Sequence, residues 1–208
     1  MKPLSGEHQY LVPVEQLISA GVQIGTRIKT KFMESYIYKV RPDGLFIIDT
    51  RKTDERIRVA ARFLANFPPQ TIVAVSFRLY GQTPVLRFCE ATGAKPIIGR
   101  FPPGAFTNPL SPSYIEPEVV IVTDPSADEQ AMEEATKVSV PLIALCDTDN
   151  TFKNIDLIIP ANNKGRKALA MVYWLLARQV LRERGEIPPD GNLPTSVEDF
   201  ETKLSEVK

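Results

Sequence analysis

A chain of 208 residues with 43% apolar and 24% charged side chains has the make-up of one ordinary globular domain, which excludes a disordered or low-complexity segment. Its longest apolar run, residues 168–177, is too short to cross a bilayer, and residues 1–25 hold no signal-peptide core. The formal net charge of zero conceals a polarity: residues 1–100 carry 15 Lys+Arg against 8 Asp+Glu, and residues 101–208 carry 10 against 17. That split marks either a pole for anionic partners or an unevenly solvated surface.

Residues 1–13 read as an extended arm carrying His8, Tyr10 and Leu11. Residues 14–20 predict a short amphipathic helix with Leu17 and Ile18 inward, closed by Gly21 as its C-cap. The rest of the chain is organised around the stretch 20–53, AGVQIGTRIKTKFMESYIYKVRPDGLFIIDTRKT. Its first half is a basic arm loosened by Gly21 and Gly25. Arg27, Lys29 and Lys31 recur at every second residue, so an extended backbone puts three cationic heads on one side. Like charges at that spacing repel unless an anionic track faces them, and RNA phosphates fit best. The arm is therefore expected to be mobile in the free protein and ordered on RNA. Residues 36–40 alternate as a strand, Arg41-Pro-Asp-Gly turns the chain, and residues 44–49 (GLFIID) suit a strand buried on both faces. The two runs are expected to lie together as a hairpin.

A regular rhythm then sets in. Residues 54–67 predict a helix with Asp54 as N-cap and Ile57, Ala60, Ala61 and Leu64 on one face. Residues 71–76 (TIVAVS), 95–98, 118–123 (EVVIVT), 141–146 (PLIALC) and 156–159 predict strands, with helices at 83–92, 125–138 and 164–184. Apolar strands alternating with amphipathic helices imply an α/β fold, a mostly parallel sheet with helices on both faces. Cys89 and Cys146 both sit in apolar sequence and read as buried, reduced thiols of a cytosolic protein.

An enzymatic reading has one foothold. Asp49, Asp124 and Asp147 each fall at the carboxyl end of a predicted strand, the edge where open α/β sheets bind ligands. They could hold a divalent cation or act as acid and base; the simpler reading is that each caps a helix or makes an Asx-turn. No G-x-G-x-x-G or G-x-x-x-x-G-K-[ST] follows a strand, and no serine sits in a G-x-S-x-G elbow. The single histidine, His8, lies in the arm, which removes His-dependent triads and His-rich metal sites. These patterns call for no cofactor and weigh against catalysis.

Two further stretches point to binding. The last helix opens with PANNKGRK, and cations at a helix amino terminus oppose its macrodipole by roughly 0.3–1 kcal/mol each. A docked anion would turn that cost into a site built from Asn162, Asn163, Lys164, Arg166 and Lys167; a solvated basic turn is the alternative. Residues 99–114 (GRFPPGAFTNPLSPSY), with four prolines and no periodicity, form a long irregular loop. Phe101, Phe106 and Tyr114 could stack on bases, fill a partner's groove, or fold back onto their own scaffold.

The segments AGVQIGTRIKTKFMESYIYKVRPDGLFIIDTRKT, FTNP, PEVVIVTDPSAD, VPLIALCDTDN and IPANNKGRKALAMVYWLLARQVLRERG, running in order from about residue 10 to 185, resemble the signatures of the small-subunit ribosomal protein two (S-two) family. The resemblance implies a flavodoxin-like (Rossmann-like) fold without catalysis. It also implies a structural constituent of the small ribosomal subunit in the cytoplasm, bound to ribosomal RNA and neighbouring ribosomal proteins at the head–body junction. By motif position it carries the RNA-facing role to Arg27, Lys29, Lys31, Arg41, Arg51, Lys52, Asn162, Asn163, Lys164 and Arg166. The chain shows neither an inserted helical hairpin, as in bacterial relatives, nor a long acidic extension, as in eukaryotic ones, so it falls on the archaeal side. Gln23 stands where many relatives have His, and no role of that imidazole transfers.

Residues 1–185 thus read as one α/β domain with a basic arm, and residues 186–208 as an acidic tail. Within the tail, residues 196–204 predict a helix with Val197, Phe200 and Leu204 on one face. It is too short to stand alone and needs a docking surface, expected on a neighbouring ribosomal protein or, in isolation, on a second copy of the chain.

Overall fold

The computed structural model describes residues 10–203; His8, Leu204 and the other expectations for residues 1–9 and 204–208 lie outside them. In chain order the elements are α1 (Val14–Ser19), β1 (Ile37–Val40), β2 (Phe46–Ile48), α2 (Thr50–Leu64), β3 (Ile72–Ser76), α3 (Leu79–Thr92), β4 (Lys95–Ile98), β5 (Val119–Val122), α4 (Glu129–Lys137), β6 (Leu142–Cys146), β7 (Leu157–Pro160) and α5 (Arg166–Glu183). Five strands form one sheet in the order β4-β3-β5-β6-β7, and every neighbouring pair is parallel. This is the doubly wound order of flavodoxin-like folds, with its switch point between β3 and β5.

Burial on both faces explains why the central strands are unbroken apolar runs: every residue of β3 and β6 is buried. Alternate residues serve opposite layers. Ile72, Ala74, Ile121, Ile143 and Leu145 pack with Ile57 and Leu64 of α2, Phe88 of α3 and Leu169 of α5. Val73, Val75, Val120, Val122 and Ala144 face Ala131 and Ala135 of α4 together with Phe101 and Phe106. The second layer therefore holds one helix and the proline-rich loop, which covers the sheet where another helix could lie. Phe101 and Phe106 meet edge to face at 5.0 Å, and the Glu134 carboxylate accepts from the Gly104 and Phe106 amides at 2.7 and 3.1 Å and from the Thr107 hydroxyl at 3.2 Å. Of the three uses open to the loop aromatics, these two phenylalanines take the inward one. Tyr114 is half-buried, its hydroxyl donating to Glu116 at 2.9 Å. Both cysteines are free and buried.

Several local expectations are corrected. The GLFIID strand does not join the main sheet and is not buried on both faces. Only Ile48 of β2 is buried, and β2 pairs antiparallel with β1. The hairpin forms as expected. Asp49, not Asp54, caps α2, its carboxylate accepting from the Arg51 amide at 3.0 Å. Asp54 lies inside, one oxygen accepting from the Leu11 amide at 2.7 Å and the other from Arg58 at 2.9 Å. In α1 Leu17 is buried, but Ile18 is 51% exposed. Helix α3 begins at Leu79, ahead of the expected start, and runs through Pro84. Pro84 cannot donate to the Tyr80 carbonyl one turn back, and the Thr202 hydroxyl donates to that oxygen instead, at 3.3 Å.

The tail finds its docking surface on its own chain. Leu193 and Phe200 are buried in the core cluster of α2, α3 and α5. The Trp174 indole donates to Thr195 O at 2.8 Å, and Arg166 pairs with Glu201 at 2.7 Å. The expected helix is reduced to a single 3-10 turn, Glu198–Phe200. The place foreseen for a neighbouring protein or a second copy is thus filled by α3 and α5.

Candidate nucleic-acid interface

The basic arm is anchored at both ends rather than loose. A Cβ on Gly25 would stand 2.5 Å from Thr148 Cγ2 and 3.0 Å from Phe46 O, so the backbone here comes closer than a side chain allows. The Thr26 amide donates to Thr148 Oγ1 at 2.9 Å, the Thr30 amide to Thr148 O at 2.9 Å and the Thr30 hydroxyl to Asn150 O at 2.8 Å. Met33, fully buried, ends the segment. The arm also runs alongside β2, through Gly25 N to Phe46 O, Phe46 N to Thr26 O and Ile48 N to Gln23 O at 2.8–3.0 Å. Arm, β2 and β1 therefore form one three-pass unit joined to the end of β6.

Most of the cations expected to meet RNA stand on this unit. Arg27, Lys31 and Arg51 are exposed, and no ion pair is formed by them among the described residues. Lys29 pairs with Glu34 at 2.6 Å and lies 5.8 Å from the Phe46 ring centroid. Its hydrogen bond and charge hold the Glu34 carboxyl below its usual value. Arg41 pairs with Asp43 at 3.2 Å. Exposed pairs of this kind contribute little, so a phosphate can compete for either cation. Lys52 is half-buried, donates to Ser35 O and sits 5.5 Å from the Tyr36 ring centroid. Lys39, on β1, is a further exposed cation that sequence reasoning passed over; its place in an alternating strand was the available signal.

The start of α5 is arranged differently. Asn162 Oδ1 accepts from the Lys164 and Gly165 amides at 3.0 and 2.9 Å, and its amide donates to Gly21 O at 3.2 Å. Asn163 is fully buried and donates to Leu145 O at 3.0 Å and Asn150 Oδ1 at 2.9 Å. Lys164 pairs with Asp149 at 2.6 Å and Asp147 at 3.4 Å, and Arg166 with Glu201. Carboxylates of the chain itself thus offset the charges that oppose the helix dipole. None of these partners adjoins the helix in sequence.

The strand-end aspartates are likewise engaged by the protein. Asp49 is the α2 cap. Asp124 is fully buried, pairs with Arg78, and accepts from the Ser126 amide at 3.0 Å in an Asx-turn and from Asn150 at 3.2 Å. Asp147 accepts from the Thr148 amide at 2.6 Å, and burial raises its carboxyl above the usual range. Beside them Asp128 takes the Phe77 and Asp124 amides at 2.7 and 3.1 Å, and burial pushes its carboxyl up to about 6. The crevice at the switch point is therefore filled with fixed side chains. Among the described residues no three His, Cys, Asp or Glu side chains are grouped to hold a metal.

The family model described as Ribosomal protein S2 matches residues 110–183. A small ribosomal subunit protein uS2 from Staphylothermus marinus is 58% identical over 196 residues, covering 94% of this chain and 89% of its own. Proteins of the same name from Thermofilum pendens and Saccharolobus solfataricus are each 54% identical, covering 95% and 94% of this chain and 92% and 85% of theirs. The family is one of ribosomal structural proteins, not of enzymes. Identity of that degree across nearly the whole of archaeal relatives, on a fold whose strand-end carboxylates are all internally bound, means that the chain belongs to the ribosomal protein S2 family.

Proposed function

We propose that this chain is a structural constituent of the small ribosomal subunit whose arm and β1–β2 hairpin lie against ribosomal RNA. In this reading Arg27, Lys29, Lys31, Arg41 and Arg51 hold phosphates, and Lys52 braces the hairpin through Ser35 and Tyr36. One observation carries it: Arg27, Lys29, Lys31 and Arg41 are exposed on a single unit hydrogen-bonded to the end of β6 through Thr148, with Arg51 at the start of α2 directly after it, and among the described residues Arg27, Lys31 and Arg51 form no ion pair. Asn162, Asn163, Lys164 and Arg166 take a supporting part, setting the start of α5 beside the base of the arm, where the Asn162 amide donates to Val22 O at 2.9 Å. Neighbouring ribosomal proteins and a place at the head–body junction, in the cytoplasm, complete the proposal, with residues 10–185 as the α/β body and residues 186–203 as a strap across it. Footprinting of small-subunit RNA with and without the chain tests this reading. Protection lost in an Arg27→Ala, Lys31→Ala variant that folds normally supports it, and protection unchanged by those substitutions overturns it.

A further inference from the structure

Ile28, Phe32, Tyr38 and Val40 are 68%, 58%, 69% and 55% exposed. All four belong to the arm or to β1, interleaved with Arg27, Lys29, Lys31, Lys39 and Arg41. Neither ring of the pair Phe32 and Tyr38 is left out by accident of a long flexible side chain. Phe32 is held at 5.5 Å from Phe152, which in turn meets Tyr36 edge to face at 6.2 Å. Tyr38 sits where the register slips: Ile37 faces Ile48 and Lys39 faces Ile47, so Tyr38 is the extra residue of a bulge. Bulges re-aim a side chain away from the ladder. The Lys39 ammonium lies 5.8 Å from the Tyr38 ring centroid.

Aromatic faces among cations match one ligand chemistry better than others. A duplex offers phosphates to the cations but keeps its base faces stacked inside, leaving the rings uncovered. An apolar protein surface would cover the rings but strand the cations. An unpaired strand supplies anionic backbone and flat apolar bases in one polymer. We propose that the arm and hairpin bind an unpaired stretch of RNA, with bases stacked on Tyr38 and Phe32 and phosphates held by Arg27, Lys31 and Arg41. This rests on the RNA-facing reading given above and narrows it to single-stranded segments.

The test is fluorescence anisotropy with a labelled oligoadenylate of about 12 nucleotides and an RNA duplex of the same length, at one fixed salt concentration. Wild-type chain should favour the single strand. Tyr38→Ala, at an exposed edge position, should weaken oligoadenylate binding by about 5- to 150-fold and change duplex binding by less than about twofold. Tyr38→Trp should keep the affinity, with its indole emission quenched on binding. If Arg27→Ala, Lys31→Ala loses both probes while Tyr38→Ala loses neither, the surface still faces RNA and the stacking proposal falls. If wild-type chain binds neither probe, both readings fall. A Tyr38→Ala chain with unchanged RNA affinity whose reconstituted particles lack a neighbouring protein would assign the patch to protein contact and overturn the proposal.

Discussion

Gly25 and Thr148 stand so close that a methyl group on the first would collide with Cγ2 of the second, at 2.5 Å. This approach lets Thr148 take the Thr26 amide on its hydroxyl and the Thr30 amide on its carbonyl. Gly25→Ala should therefore destabilise the fold by about 1–3 kcal/mol, the usual cost of overpacking, and weaken RNA binding further by displacing Arg27. Thr148→Ser removes the offending methyl and keeps the hydroxyl, so the double variant should recover part of the loss. Urea unfolding of the four chains measures both effects; equal losses in the single Gly25→Ala and the double variant would count against the contact as the cause.

Phe200 tests whether the tail is integral to the core. Its side chain is fully buried, and Phe200→Ala should cost about 3–5 kcal/mol. Leu110→Ala, at a residue 93% exposed, should stay within about 0.5 kcal/mol of wild type. Thermal unfolding distinguishes the two, and a Phe200→Ala chain as stable as wild type would return the tail to the role of a free docking segment.

Asp128 should leave a pH signature. Its carboxyl titrates at about 6 in the fold, against a usual value of 3.8, because burial disfavours the charged form. With the folded value raised, the group's contribution to stability is fully present below about pH 4 and is lost as pH climbs through 6. Relative to Asp128→Asn, the wild-type chain should gain up to about 3 kcal/mol between pH 7.5 and 4. Denaturation of both chains across that window gives the difference directly; a constant gap would show that folding leaves the titration of Asp128 unchanged.

Salt dependence should report the size of the RNA contact. If arm and hairpin neutralise about 5 phosphates, log K against log[salt] falls with a slope of roughly −3.5 to −4.5. Removing Arg27 alone should make that slope shallower by about 0.7–0.9. Removing Lys164, already paired with Asp149 and Asp147, should leave it unchanged.

The sheet could be read from sequence because its information is local. TIVAVS, EVVIVT and PLIALC are unbroken apolar runs, and only a strand covered on both faces needs one. The two thiols were equally plain from their apolar neighbours. What escaped depends on distant partners. Nothing near Lys164 announces Asp149, nothing in the proline loop announces Glu134, and the partner of Arg166 lies in the tail. The arm was legible as cationic, but its anchorage at Thr148 was not, since the two meet only after β6 has joined the sheet. The exposed Tyr38 was missed for a related reason: a bulge is set by pairing, and the alternating pattern of YIYKV does not display it.

The arrangement of Arg178 bears on the order in which this molecule can be made. From the middle of α5 its guanidinium donates to Leu11 O at 2.7 Å and to Asn192 at 3.0 Å, so the earliest described backbone waits for nearly the last. Thr202 meets Tyr80 across a similar gap. During synthesis the sheet can assemble strand by strand, and the Leu11 amide can already reach Asp54, but the Leu11 and Tyr80 carbonyls gain their side-chain donors only once the closing segment has emerged. A nascent chain halted before residue 178 would carry a finished sheet whose first described segment is held at Asp54 but not yet clasped by the Arg178 guanidinium.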